Sequence, residues 1–292
     1  METSTDDDGD PATAQVRILL LCIALFLSFH PTYQPSLPPP QPITQEEPVI
    51  AKKTKVSPSR KRSKKLYLTF DDGPNRGTKN VLHIVQDEEV PVTFFVVGEH
   101  VFASAVQHQL WDSLRIARHI EICNHSYSHA NGRYETYYQQ PDSVVKDFKR
   151  THDSLGLTNA VVRTPGRNIW RVDTLQYTDL KRSAAAADSL QKAGFVVMGW
   201  DLEWHFDHKT MSVTTAADDL VKQIDSAFAH RRMKIADHLV ILAHDQVYQR
   251  PSDSQQLRTF LQLLKKKGDY EFALMTTYPL IVQDSLAGID RQ

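Results

Sequence analysis

Cysteine, net charge and long apolar runs are all scarce in this chain. Its 292 residues include two cysteines, Cys22 and Cys123. Cys22 sits in an apolar segment and Cys123 in the part that reads as folded, so the pair weighs against a stabilising disulfide. The folded part must therefore hold together through its core. Formal net charge is −1, which assigns the chain no acidic or basic partner. Basic residues are not interleaved with aromatics, and the one basic run, Lys52–Lys65, lies in linker-like sequence. Both facts exclude nucleic acid as a partner. No internal repeat is visible. No apolar run reaches the roughly 20 residues that a membrane-spanning helix needs. With 41% hydrophobic and 24% charged residues, the composition is that of an ordinary globular protein. The length suits one barrel-sized domain plus an extension.

The extension is N-terminal. The longest apolar run, Ile18–Leu27, continues through Ser28 and Phe29. At about a dozen residues it matches a signal-peptide core better than a full span, although no small-x-small cleavage site follows. Residues 1–30 are read as a signal or uncleaved anchor, and the chain as exported. Arg17 precedes the run and no Lys or Arg follows before Lys52, which favours an N-in orientation. Residues 31–65 read as a linker. Pro31, Pro35, Pro38, Pro39, Pro40, Pro42 and Pro48 disfavour helix and core strand. The basic run that follows is a solvated spacer, or a contact with anionic wall polymer or lipid headgroups.

From residue 66 to 292 the pattern changes. Short runs rich in Val, Ile, Leu and Phe predict strands at Leu66–Phe70, Val92–Val97, Ile120–Cys123, Ala160–Val162, Phe195–Gly199, Leu239–Leu242 and Phe272–Thr276. Helices are predicted at Val101–Arg118, Asp142–Leu155, Ser183–Ala193, Thr215–Arg231 and Ser252–Lys267. Alternation of the two predicts a parallel α/β architecture, either a small incomplete barrel or an open doubly wound sheet. The polar residues fall into register on this map. Asp71 and Asp72 follow the first strand, His125 the third, Arg163 ends the fourth, Asp201 and Glu203 follow the fifth and His244 the sixth. In an α/β barrel, C-terminal strand ends converge on one face.

Each of these residues suggests chemistry. Asp71-Asp72-Gly73-Pro74 places two carboxylates on a turn just after a buried strand. Adjacent carboxylates repel there unless something positive relieves them. A metal held by one, with the other left as a base, does so. His125 and His129 stand four residues apart, a spacing that serves one metal from a helix turn or a folded loop. Asp72, His125 and His129 make a two-His, one-carboxylate set that leaves room for water and substrate. Zn2+ suits these ligands best, with other divalent transition metals possible. His244, at the end of an apolar strand, is placed as a general acid. His205 and His208 read as rim or surface residues. Trp200 and Trp204 read as walls of the site, stacking surfaces for sugar, or core.

Five blocks in order carry a resemblance: Thr69–Pro74, His125–His129, Arg163–Arg167, Trp200–Trp204 and Leu242–Asp245. Together they resemble the polysaccharide deacetylases of carbohydrate esterase family 4, the NodB-homology domain, over about Leu66 to Leu280. The resemblance implies a distorted (β/α)7 barrel. It implies Asp71 as general base, His244 as general acid, and Asp72, His125 and His129 as metal ligands. Arg163 would orient Asp71, and a backbone N–H near Pro165–Arg167 would serve the oxyanion. Two blocks depart from the pattern. Where the family usually has Arg-Pro-Pro-Tyr-Gly, this chain has Arg163-Thr164-Pro165-Gly166-Arg167, without the tyrosine and with an extra arginine. The fourth block is short, and leaves Asp201, or else Glu203, to orient His244.

The expected function is an exported, metal-dependent hydrolase acting on carbon–nitrogen bonds other than peptide bonds. It would remove N-acetyl groups from an N-acetylglucosamine polymer such as peptidoglycan, chitin-type oligomers or poly-GlcNAc. An O-acetyl esterase on xylan or another acetylated glycan is the alternative enzyme, and an inactive glycan-binding module the alternative of another class. The polysaccharide is the one partner expected, with the membrane added if the N-terminal segment is retained. A reporter fused to the C-terminus is expected to read out extracytoplasmically; a cytoplasmic signal would reject the export reading.

Overall fold

The computed structural model describes residues 63–281. The expected N-terminal segment 1–30, and all but the last three residues of the expected linker, lie outside the described residues. Among the described residues the strands are β1 Lys64–Asp71, β2 Val92–Val96, β3 Ile120–Asn124, β4 Val161–Val162, β5 Ile169–Val172, β6 Leu175–Thr178, β7 Val196–Val197, β8 Leu202–Glu203, β9 Phe206–Asp207, β10 Ser212–Val213, β11 His238–His244 and β12 Tyr270–Phe272. The α-helices are α1 Arg76–Asp87, α2 Gly98–Phe102, α3 Ala105–Ile116, α4 Tyr134–Tyr138, α5 Pro141–Leu155, α6 Ala184–Lys192, α7 Ala217–Ala229 and α8 Pro251–Lys267. None of them is long and apolar enough to cross a membrane.

One sheet organises the domain, in the order β6-β5-β7-β4-β3-β2-β1-β11-β8. From β7 to β8 along that order every pairing is parallel, which makes seven parallel strands. The two ends of this run are consecutive in the chain. Val196–Val197 pairs with β4, and Leu202–Glu203, five residues on, pairs with β11. The segment bends at Gly199, where a Cβ would lie 2.2 Å from Asn168 Oδ1 and 2.4 Å from the Trp170 indole nitrogen. Only glycine passes there. The sheet thus curls into the distorted seven-stranded form expected.

Strand alternation separates two apolar layers. On β1, Leu66, Leu68 and Phe70 pack outward with residues of α1, α3, α7 and α8. Tyr67 points inward with Phe95, Trp170 and Val240. Thr69 and Asp71 share the Tyr67 face, so β1 delivers a polar edge to the inside of the curl.

Some local expectations change. The helix expected over Val101–Arg118 is two helices, because Ser104 caps α3 by accepting from the Gln107 N–H. An unexpected helix, α1, starts directly after the Asp-Asp-Gly-Pro turn, fixed by a capping box of Asn75 and Thr78. The strand expected at Phe272–Thr276 is instead β12, which joins β1 at its start. The antiparallel pairs β5/β6 and β9/β10 were not expected. The expected linker loses Lys64 and Lys65 to β1.

Core packing sets the stability. Phe260 on α8 is fully buried and its ring centroid lies 5.0 Å from that of Trp204. Phe260→Ala is expected to cost about 3–5 kcal/mol, read as a lower urea midpoint at unchanged slope. Val106→Ala, at a 63% exposed position, is expected to leave the midpoint within error.

Candidate metal and acid–base site

Asp71 and Asp72 are neighbours in sequence, and a strand would send them to opposite faces. The chain avoids this by turning Asp72 to φ +79, a left-handed conformation that Asp tolerates better than most residues. The turn is held from three sides. His100 Nδ1 donates to the Asp72 carbonyl at 2.7 Å. The Val97 N–H donates to the Gly73 carbonyl at 2.9 Å. A Cβ on Gly73 would lie 2.3 Å from Asp245 Oδ2. Both carboxylates therefore reach one cleft.

Asp72 Oδ1 is buried and receives no hydrogen bond, but two imidazoles face it. His125 Nε2 lies 3.4 Å away and His129 Nε2 3.1 Å away. The spacing of four comes from a folded loop, with Ser126 and His129 at positive φ. The other ring nitrogen of His125 donates to the Arg163 carbonyl at 2.9 Å, which leaves the Nε2 lone pair toward the cleft. Gln246 Nε2 donates to Asp72 Oδ2 at 3.0 Å. The three candidate ligand atoms lie within 4.8 Å of one another. Tetrahedral ligands about 2.0–2.1 Å from a Zn2+ ion stand roughly 3.3–3.4 Å apart, so the donor set fits such an ion in type and spacing. Burial works against charge on Asp72, yet the imidazoles hold its carboxyl well below the usual range. His125 is desolvated too, but Asp71 and Asp72 raise its pKa.

Asp71 has a different environment. Arg163, fully buried, donates from Nη1 to Asp71 Oδ1 at 2.9 Å and to Thr69 Oγ1 at 2.6 Å. Its Nε and Nη2 donate to the Met198 and Gly199 carbonyls. Desolvation lowers the Arg163 pKa and the Asp71 charge opposes that. With Oδ1 clamped, Asp71 Oδ2 is left on the side of His125 Nε2, 3.7 Å away. His244 is the register partner of Asp71 on β11. Its ring packs 5.0 Å from that of Phe206.

Asp71, Asp72, His125, His129 and His244 all line one cleft of about 390 Å³, with Trp200 and Glu203. Asp201 is the exception. Its oxygens accept from the Lys234 and Val240 backbone N–H groups, each at 2.9 Å, and burial pushes its pKa up to about 6. It braces the start of β11 and does not orient His244, whose Nδ1 is buried without a hydrogen-bond partner. Glu203 makes no such bond either. Trp204 is core, packed on Tyr248 and Phe260. His208 lines the cleft and His205 is exposed. Arg167 turns back to donate to the Gly166 carbonyl. Sequence reasoning missed Gln246, Phe206 and Tyr134 in the cleft. Gln246 could have been found by its place two residues past His244; the others carry no local signal.

Residues 59–194 match the family model described as polysaccharide deacetylase. A peptidoglycan-N-acetylglucosamine deacetylase of Bacillus cereus is 23% identical over 274 residues, covering 88% of this chain and 90% of that protein. A bifunctional xylanase/xylan deacetylase of Cellvibrio japonicus is 28% identical over 182 residues, 62% of this chain and 23% of that protein. A CE4 esterase structure from Streptococcus mutans is similar with a TM-score of 0.53 at 24% identity, covering 73% of this chain and 86% of that one; this likeness concerns the fold.

Because donor atoms of Asp72, His125 and His129 converge within 4.8 Å of one another, adding Zn2+ is expected to raise the thermal midpoint of the wild-type protein. In His129→Ala the increment should shrink sharply, as measured by differential scanning fluorimetry with and without chelator. An equal increment in both proteins would remove His129 from the ligand set.

Proposed function

This chain carries a polysaccharide deacetylase domain of carbohydrate esterase family 4, and on that premise we propose that it is an exported, metal-dependent hydrolase removing N-acetyl groups from a GlcNAc-containing polysaccharide. The observation that carries the reading is the unequal treatment of two adjacent carboxylates. Asp72 faces two imidazoles, and Asp71 is clamped by Arg163 through one oxygen.

Asp72, His125 and His129 would hold a Zn2+ ion, which would supply Lewis-acid polarisation of an acyl carbonyl and make water more acidic. Asp71 Oδ2 takes the proton of the attacking water, while Arg163 holds the other carboxylate oxygen and so orients the base. The amide nitrogen cannot leave as an anion, so it must gain a proton as the C–N bond breaks. His244, beside Asp71 on the adjacent strand, delivers that proton. Trp200 and Phe206 give the cleft apolar surface against which a sugar ring or acetyl methyl can rest.

N-deacetylation is favoured over O-deacetylation by coverage. The relative named for peptidoglycan N-acetylglucosamine aligns with 88% of this chain, the xylan deacetylase with 62%. The O-acetyl reading draws its support from the second of these. Export rests on the apolar run Ile18–Phe29.

Asp71→Asn is expected to lower acetate release from an N-acetylated glycan panel by about 10²–10⁴-fold while Zn2+ binding persists. Undiminished turnover would withdraw the base role from Asp71. Faster release from acetyl-xylan than from any N-acetylated substrate would move the assignment to the esterase.

A further inference from the structure

Tyr134 opens α4, five residues past His129, and belongs to none of the five sequence blocks. Its contacts are with two of them. The ring stands edge-on to the His129 imidazole, at 86° and 5.8 Å between centroids. Its hydroxyl lies 3.5 Å from His129 Nδ1, the long end of hydrogen-bonding range. On the other side the ring occupies the space beside Gly166. A Cβ there would lie 3.1 Å from Tyr134 Cε1 and 3.3 Å from its Cδ1 and Cζ. Gly166 is at φ +61, so the chain has both a backbone and a packing reason to carry no side chain at that point. The ring and a side chain at 166 compete for one volume, and α4 fills it.

The placement is rigid. Tyr138, one turn along α4 and buried, donates its hydroxyl to the Pro165 carbonyl at 2.6 Å. This ties α4 to the Thr164–Arg167 loop at two points, Tyr138 to Pro165 and Tyr134 against Gly166. Tyr134, Gly166, Thr164 and His129 all line the cleft.

An imidazole that offers Nε2 to a metal carries its proton on Nδ1, and whatever accepts that proton sets the ring's rotation. For His125 the acceptor is the Arg163 carbonyl. For His129 the phenol oxygen of Tyr134 is the neighbour in that position. We propose that Tyr134 is the positioning residue of His129: its hydroxyl accepts the Nδ1–H, and its ring, wedged against Gly166, holds that hydroxyl in place. The proposal rests on the reading of Asp72, His125 and His129 as metal ligands. It assigns to a residue outside the motifs the task that a backbone carbonyl performs for His125.

The test is Zn2+ affinity of the full chain, measured by competition with a chromophoric chelator, in wild type, Tyr134→Phe and Tyr134→Leu. The visible spectrum of the Co2+-loaded proteins reports ligand geometry in parallel. Tyr134→Phe keeps the ring and removes the acceptor. It is expected to weaken Zn2+ about 10-fold, at the lower end of such outer-contact effects, and to alter the Co2+ spectrum. The thermal midpoint of the metal-free protein should stay unchanged and KM should move less than kcat. Tyr134→Leu should weaken Zn2+ further. Wild-type affinity and spectrum in Tyr134→Phe would overturn the proposal, as would a loss of affinity matched by a lower metal-free midpoint. Absence of Zn2+ binding in the wild type would instead overturn the metal reading beneath it.

Discussion

The site depends on the burial of one guanidinium. Arg163 lies fully inside the curled sheet, its charge centre 4.1 Å from the Phe95 ring. Removing such a group from water is costly unless its donors are matched. The matches come from different parts of the fold: Thr69 and Asp71 on β1, and the carbonyls of Met198 and Gly199 where the chain turns from β7 toward β8. The Arg163 carbonyl meanwhile fixes the His125 ring. A single residue therefore links the curl of the sheet, the orientation of the base and the tautomer of a candidate ligand. None of the three can shift without leaving a buried donor or acceptor unpaired.

Around that anchor, electrostatics separate two carboxylates that sequence places side by side. Asp71 has a permanent cation against one oxygen. Asp72 has two imidazoles and a neutral amide donor from Gln246. The positive φ of Asp72 is what lets both side chains enter one cleft. Asp245, next to His244, is a third buried carboxylate with no cation. Its bonds come from Thr78 and Asn75, and burial raises its pKa to about 7. It joins the end of β11 to the cap of α1, which ties the acid strand to the segment that follows the Asp-Asp-Gly-Pro turn. Gly73 is required for that closeness.

Much of this was legible in the chain. The buried parallel strands announced themselves as short apolar runs, and the polar residues at their C-terminal ends gave the face of the site before any coordinate did. The reading failed where the signal was not periodic. The capping box that starts α1 lies in a turn, and the break at Ser104 is a single side-chain bond inside an otherwise continuous helical pattern. The two-residue strands β8, β9 and β10 are too short to show a period. Asp201 misled for a different reason. It sits in register with the functional residues, but the bend at Gly199 turns it toward the start of β11, where two backbone N–H groups take both oxygens.

The sequence by itself determined the residue types and their local spacing: two carboxylates after a strand, two histidines four apart, and an arginine and a histidine at further strand ends. Those are short-range facts, and short-range sterics and hydrophobicity suffice to place them on one face. Only the tertiary structure decided how the acids divide, that Asp201 serves the backbone, and that Tyr134 meets both His129 and Gly166. Apart from Tyr134 and His129, which are five residues apart, these pairings join residues distant in the chain. They depend on how far the sheet curls and which donors burial leaves unmatched, and neither is written in any single segment.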